Sequence, residues 1–122
     1  MSYFIAVFGE KYANTSPVDG GKYPLSPADC PSTISAGDTM VLYCTASYPG
    51  YYMEAVGLGE VTKVQQNTNE VVIYYKYSPF SQTVSRNKIK ACLDGSEMRR
   101  FKYLHLSRNW LFEISSPSFN CI

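Results

Sequence analysis

Apolar residues recur along the chain in short segments that predict β-strands. The first, Tyr3–Phe8, is a continuous apolar run that ends at Gly9, which is typical of a strand buried on both faces. In the later segments successive side chains are expected to point to opposite faces, as strand geometry requires. These further predicted strands are Thr39–Thr45, Tyr52–Val64, Glu70–Tyr77 and Trp110–Ser115. Pro79 is expected to end the fourth of the five strands, and Met98–Leu106 is open between a strand and a turn of basic helix.

Serine residues at capping positions predict the helices. Ser26 precedes Pro27 and can open one helical turn, and Ser116-Pro117 has the same form near the end of the sequence. Ser85 can cap a short helix that runs through Leu93, with Gly95 as its stop signal. The pattern therefore predicts two or three short helices between and after the strands.

Glycine placement predicts a strongly curved sheet. Gly57 and Gly59 lie two apart on one face of the long third strand, where a glycine often marks a bend or a close backbone approach. The segment Glu10–Ala36 is rich in Gly, Pro, Ser and Asp, and such a long connection is either functional or contains a short helix. Residues 1–122 are therefore expected to form one α+β domain, a small curved β-barrel of five or six mainly antiparallel strands with two or three short helices.

Charge is unevenly distributed, although the formal net charge is only +1. Up to Tyr75 the chain has three basic and seven acidic residues, whereas Lys76–Arg108 has eight basic residues and two acidic ones, Asp94 and Glu97. This asymmetry favours an anionic partner, and the alternative is a solvated basic face without a ligand.

The cysteines and the N-terminal segment favour a soluble, cytoplasmic protein. No basic segment followed by a long apolar run is present, so neither a signal peptide nor a membrane span is expected. The cysteines form no C-x-x-C pair, and His105 is the single histidine, so no zinc site and no other cofactor is predicted. We expect all four cysteines to be reduced, with two disulfides as the alternative. The four cysteines are Cys30, Cys44, Cys92 and Cys121.

Catalytic patterns are weak, and the protein is expected not to be an enzyme. His105 lies between two leucines, an environment in which a histidine is more often structural. Glu54 and Glu60 share a strand but are six residues apart, roughly 20 Å, which is too far for a carboxylate pair. The sequence Gly57-x-Gly59 lacks the third glycine and the helix of a nucleotide-binding fingerprint.

Aromatic and basic residues supply the candidate binding site. Three tyrosines surround Pro49-Gly50, where a loop cannot easily bury all of them. If the strands Tyr3–Phe8 and Thr39–Thr45 are neighbours, the loops that follow them can close over the same end of the barrel. Stacking on these rings would then combine with phosphate contacts. The candidate ligand-binding residues are Tyr23, Tyr43, Tyr48, Tyr51, Tyr52 and Trp110, and the candidate backbone contacts are Arg99, Arg100, Lys102 and Arg108.

The order of these motifs resembles the PUA-like superfamily and, within it, the EVE domains. The resemblance spans nearly the whole chain and rests on four segments, none of them specific alone: Tyr3–Phe8, the loop sequence Gly20–Leu25, Ser35–Tyr43 with its Gly-Asp turn, and Gly57–Val64. The late segment Arg108–Ile114 fits the final strand. The pattern G-x-K-x-x-E-x-R of the related ASCH domains is absent. The resemblance implies recognition of nucleic acid, often of a modified base flipped into an aromatic pocket.

These observations together predict a non-catalytic nucleic-acid-binding domain with a modified base as candidate ligand and no membrane association. One alternative is a protein-interaction module that uses the tyrosine-rich loop, and another is a small-molecule sensor built on the same barrel. A basic cleft beside the aromatic loop would favour nucleic acid as the ligand. A flat apolar patch would favour a protein partner, and a deep neutral pocket would favour a small ligand.

Overall fold

The computed structural model describes residues 1–8, 21–45, 53–102 and 111–122. Six strands and three α-helices lie in this part of the chain. In chain order the elements are β1 (Tyr3–Phe8), β2 (Lys22–Leu25), a 3-10 turn (Pro27–Asp29), β3 (Thr39–Cys44), β4 (Glu54–Gln66), β5 (Val71–Ser85), α1 (Arg86–Cys92), α2 (Gly95–Lys102), β6 (Leu111–Ile114) and α3 (Ser116–Cys121). The predicted strands are confirmed, and β2 is a short strand that the pattern did not indicate.

One curled sheet contains all six strands in the order β2-β5-β4-β3-β1-β6. Strands β1 and β3 are parallel, with Phe8 opposite Cys44, and the other neighbouring strands are antiparallel. With its three helices the sheet forms a half-barrel, so the α+β curved-barrel prediction is confirmed. Strands β1 and β3 are neighbours, which is the condition for the loops after them to close over the same end of the barrel.

Alternating side chains divide the core between the two faces of the sheet. On the concave face Phe4, Phe8 and Leu42 pack with the buried side chains of β2 and β5. On the convex face Ile5 and Val41 pack with residues of the helices. Because both faces of β1 and β3 are covered, their apolar runs are continuous rather than alternating.

The Gly-Asp turn before β3 joins three parts of the chain. Gly37 has φ +97°, a left-handed conformation that a glycine adopts without a steric cost. The buried Asp38 carboxylate accepts hydrogen bonds from the backbone N–H of Ser2 at 2.9 Å and of Ser35 at 2.8 Å. The turn predicted from sequence is therefore also the point at which the start of β1 is held against β3.

Strand β5 continues past Pro79, so the prediction that this proline ends the strand is wrong. Pro79 is opposite Gly57, and the next pair of partners is Ala55 with Val84. Four residues of β5 are thus accommodated opposite a single residue of β4, which places Pro79 at an irregularity where a missing N–H is tolerated.

Gly95 begins a helix instead of ending one. α1 begins after the Ser85 cap, as predicted, and ends at Cys92, one residue before the predicted end; the Ser85 hydroxyl accepts from the N–H of Lys88 at 3.3 Å. α2 then starts at Gly95, which assigns the first part of the ambiguous 98–106 segment to a helix. A capping box explains the start, because Asp94 accepts from the N–H of Glu97 and Glu97 accepts from the N–H of Asp94.

Two of the four cysteines are bonded to each other, so the expectation of four reduced thiols is wrong. Cys92 of α1 and Cys121 of α3 form a disulfide with a Cα–Cα distance of 5.4 Å. Cys30 and Cys44 are free, and Cys44 is buried. The pair is separated by 29 residues in sequence, and only the packing of α1 against α3 brings the two side chains together.

None of the helices among the described residues is long and apolar enough to cross a membrane.

Candidate functional site

The candidate site lies at the edge of the sheet where β1 and β3 end. Because the two strands are parallel and in register, the polypeptide leaves the sheet at this edge after each of them. The N–H of Thr45 donates to the carbonyl of Phe8 at 3.0 Å. Strand β4 starts at the same edge, with Glu54 opposite Cys44. Strand β6 starts nearby, with Leu111 opposite Ala6.

This edge holds the attachment points of the predicted aromatic residues. Tyr48, Tyr51 and Tyr52 belong to the segment between Thr45 and Met53, and Trp110 immediately precedes Leu111. These four residues and Arg108 lie outside the described residues. Their neighbours in the chain nevertheless begin or end at one edge of the sheet, as the sequence argument for a shared site required.

The first basic helix also starts at this edge. The N–H of Arg86, the first residue of α1, donates to the carbonyl of Met53 at 3.0 Å. The guanidinium of Arg86 lies 6.0 Å from the ring centre of Phe101 in α2, which packs edge-on against Tyr43 at 4.9 Å. The contact between Arg86 and Phe101 therefore links α1 to α2, and Phe101 links both helices to the buried Tyr43 at this edge of the sheet.

Five cationic side chains on α1 and α2 form a group that we call the helical cations: Arg86, Lys88, Lys90, Arg99 and Arg100. Lys88, Arg99 and Arg100 are exposed, and Arg86 and Lys90 are half-buried. The predicted contacts Arg99 and Arg100 are thus at the surface. Lys102 ends α2, and its side chain lies outside the described part of the structure.

The two acidic residues of this segment are engaged in local backbone contacts. Glu97 is buried and accepts hydrogen bonds from the N–H groups of Asp94 and Ser115 and from the hydroxyl of Ser118. Hydrogen bonding from the N–H of Glu97 lowers the pKa of Asp94, with smaller contributions from Ser96 and from the charge of Arg100. Both carboxylates therefore stabilise the start of α2, and Glu97 also attaches it to α3.

A shallow groove of about 410 Å³ lies beside Arg100. The residues 28–33, which include the end of the 3-10 turn, form one wall, and β6 forms the other. The hydroxyl of Thr33 donates to Glu113 across the groove at 3.0 Å. Sequence reasoning missed these residues, because Thr33 and Glu113 are 80 positions apart and carry no motif.

Cys30 borders the groove, but its thiol is not activated. Burial raises the pKa of the Cys30 thiol above its ordinary value, and the sulfur donates to the Pro31 carbonyl at 3.6 Å. A nucleophilic cysteine requires the opposite shift. No group of three metal-ligating side chains occurs among the residues that the structure describes.

The structure places two of the predicted ligand-binding tyrosines in the core. Tyr23 has no exposed surface, and its hydroxyl donates to the Val7 carbonyl at 2.7 Å. Tyr43 is 2% exposed, and burial raises its pKa to about 12. Both rings stabilise the sheet next to the candidate edge and do not form its surface, so the structure does not bring them together with the exposed arginines.

Comparison with known proteins identifies the fold. No protein-family model and no curated protein matches the chain. Among solved structures, the N-terminal domain of McrB from Staphylothermus marinus is similar with a TM-score of 0.69 and 7% identity, over 98% of this chain and 92% of that one. The ASCH protein from Zymomonas mobilis is similar with a TM-score of 0.61 and 9% identity over the same shares. Rpa0253 from Rhodopseudomonas palustris has a TM-score of 0.64 and 16% identity, over 99% of this chain and 91% of that one.

These similarities define a PUA-like fold, and the superfamily resemblance stated from the sequence is confirmed at the level of the fold. The narrower EVE resemblance stays a prediction.

Proposed function

We propose that this PUA-like domain binds nucleic acid without chemical turnover. The observation that carries the proposal is the convergence at one sheet edge: the attachment points of the tyrosine-rich segment and of Trp110 lie beside the start of the basic helix α1. An aromatic platform next to cations is the combination that binds bases and phosphates together.

In this proposal Tyr48, Tyr51, Tyr52 and Trp110 supply the rings for a base, which in an EVE-like site would be a modified base flipped out of the stack. Two stacking rings are needed, because extrusion of a base costs a few kcal/mol and stacking returns about 1–3 kcal/mol per base. The phosphate contacts come from Arg99, Arg100, Lys102 and Arg108. Tyr23 and Tyr43 support the edge from within the core.

The proposal predicts a salt-dependent affinity that depends on the helical cations. We expect the wild type to bind labelled DNA or RNA at 50 mM salt, measured by fluorescence anisotropy. For duplex DNA, log K should fall with log salt by about 0.9 per phosphate contact. Arg99→Gln should reduce this slope by about 0.9, and the double variant Arg99→Gln/Arg100→Gln should reduce it by about 1.8.

Lys76→Gln is the matched control for Arg99→Gln. Lys76 is also exposed and loses one charge, but it lies on β5 opposite Glu60. We expect its affinity and slope to equal those of the wild type. Tyr51→Ala and Tyr52→Ala should each weaken binding at least fivefold with nearly unchanged melting temperatures. Absence of binding by the wild type to single-stranded and duplex DNA and RNA at low salt would disprove the proposed function.

A further inference from the structure

A tyrosine on the convex face of the sheet lies between two lysines from neighbouring strands. Tyr74 of β5 is opposite Lys22 of β2 on one side and opposite Lys63 of β4 on the other. The ammonium nitrogens lie 5.8 Å and 5.7 Å from the centre of the ring, within the range of a cation–π contact. We call these three residues the lysine–tyrosine strip.

The strip belongs to the half of the convex face that is not under the helices. The helices pack over Val41, Tyr43 and Ala55 on the other half. Tyr23 and Ile73, the neighbours of Lys22 and Tyr74 along their strands, point into the concave core, so the strip points outward. Both lysines are exposed and the tyrosine is half-buried.

The geometry keeps two positive charges close to each other. Both ammonium groups contact one ring, so their separation is at most about 11.5 Å. Lysine side chains normally lose rotamer freedom when a ligand immobilises them. The ring restrains both side chains before a ligand arrives. The nearby Lys76 of β5 is opposite Glu60 of β4 in the register of the sheet.

The polar groups around the Tyr74 ring are also suited to contact an unpaired nucleic-acid strand. The Tyr74 hydroxyl donates to Gln65 at 3.3 Å, and the Gln65 amide donates to Asn67 at 3.3 Å. Amide groups beside a ring can hydrogen-bond to base edges, which a single strand exposes and a duplex largely does not. A positively charged surface that follows the backbone is one component of sites that bind single strands without sequence preference.

We propose that the lysine–tyrosine strip is a second contact for single-stranded nucleic acid, in which Lys22 and Lys63 bind backbone phosphates and Tyr74 positions them. The inference rests on the proposed function and extends it to a different surface. Strand β5 connects the two surfaces, because Tyr74 lies near its start and α1 follows its last residue, Ser85.

The test compares the full-length wild type with Lys22→Gln/Lys63→Gln, using a labelled 24-nucleotide oligothymidylate. Two lost phosphate contacts should reduce the slope of log K against log salt by about 1.4 on a single strand, with an affinity about tenfold weaker at 50 mM salt. Tyr74→Leu should weaken binding about threefold, and Tyr74→Phe, which retains the ring, should bind as the wild type does. Lys76→Gln, which removes one charge from the same face, is the control for the single variants Lys22→Gln and Lys63→Gln, and circular dichroism melting confirms that each variant is folded.

The outcomes separate this inference from the proposed function. If Arg99→Gln/Arg100→Gln weakens binding while Lys22→Gln/Lys63→Gln has the wild-type affinity and slope, the strip is not a contact and the proposed function stands. If only the strip variant is impaired, the strip stands and the helical cations are not the contact. An equal loss with Lys76→Gln would show an effect of net charge alone and would overturn the inference. So would an equal effect of the strip variant on duplex DNA, because the site would then not be specific to single strands.

Discussion

Asp38 is a single residue that decides how two distant segments meet. Its two carboxylate oxygens each accept one backbone N–H, from Ser2 before β1 and from Ser35 in the turn before β3. The side chain is only 4% exposed, so water provides little substitute for these bonds. The parallel pairing of β1 and β3, and with it the candidate edge, therefore depends on this carboxylate.

We expect Asp38→Ala to lower the free energy of unfolding by about 2 kcal/mol, because two backbone donors lose a charged acceptor. Asp38→Asn should cost less, since its amide oxygen can still accept one of the two hydrogen bonds. Urea denaturation followed by circular dichroism measures both. Glu70→Ala is the control, because it removes an exposed carboxylate. Equal stability of Asp38→Ala and the control would show that the carboxylate does not join these segments.

The tyrosines show at the same scale why residue type alone does not identify a site. Tyr23 and Tyr43 satisfy or bury their hydroxyls within the core, whereas Tyr74 presents its ring to two exposed lysines. A tyrosine suits all of these positions because its ring is apolar and its hydroxyl is polar. The environment, which the chain supplies only after folding, determines the role.

At the level of elements, the contact between β4 and β5 creates the curvature of the sheet. A Cβ atom at Gly57 would lie 2.5 Å from the carbonyl oxygen of Ser78 and 2.9 Å from the Cα of Pro79. The backbone of β5 thus crosses directly over this glycine, as the strand position of Gly57 and Gly59 predicted. At Gly59 the near neighbour is instead the Tyr75 ring, at 2.9 Å.

Gly57→Ala should therefore destabilise the protein by about 1–3 kcal/mol, because backbone atoms of β5 must move to admit a methyl group. Gly95→Ala is the matched substitution: no atom lies within 4 Å of its Cβ position, and alanine favours a helix. We expect it to raise stability by about 0.5–1 kcal/mol. Thermal and urea unfolding of both variants test the pair, and a Gly57→Ala protein as stable as the wild type would contradict the close crossing.

At the scale of the whole molecule, the helices form one layer that is closed covalently. The Cys92–Cys121 disulfide joins α1 to α3, and Glu97 of α2 accepts hydrogen bonds from Ser115 and Ser118 at the start of α3. The rings of Tyr3 and Phe119 stack at 4.1 Å and attach this layer to β1. The consecutive helices α1 and α2 and the later helix α3 thus support the basic surface together.

We expect the disulfide to contribute about 3.6 kcal/mol to stability, as a closed loop of this length does in the chain-entropy model. Cys92→Ser/Cys121→Ser should lower the free energy of unfolding by that amount, and Cys30→Ser should change it much less. Alkylation of the denatured, unreduced protein followed by mass measurement should detect two modified cysteines, Cys30 and Cys44. Four modified cysteines in protein isolated under oxidising conditions would contradict the bonded pair.

The sequence alone was sufficient for features that depend on neighbouring residues. Apolar runs and period-two alternation indicated five of the six strands that the structure describes, and a serine cap indicated α1. The helix predicted at Ser116-Pro117 is α3, although its cap is Ser115. The Gly57-x-Gly59 spacing predicted strong curvature of the sheet, and the motif order predicted the PUA-like fold. These signals are local, because backbone geometry and helix capping act over a few residues.

The tertiary structure decided what depends on residues far apart in the chain. Strand β2 forms and β5 continues past Pro79 because of pairing with distant strands. The disulfide between Cys92 and Cys121, the burial of Tyr23 and Tyr43, and the hydrogen bond between Thr33 and Glu113, 80 residues apart, likewise depend on tertiary packing. The tertiary structure also placed Lys22 and Lys63 on either side of Tyr74. No local pattern encodes these contacts, because pairing and packing depend on the burial of apolar surface over the whole chain, which acts without direction and favours no particular partner in sequence.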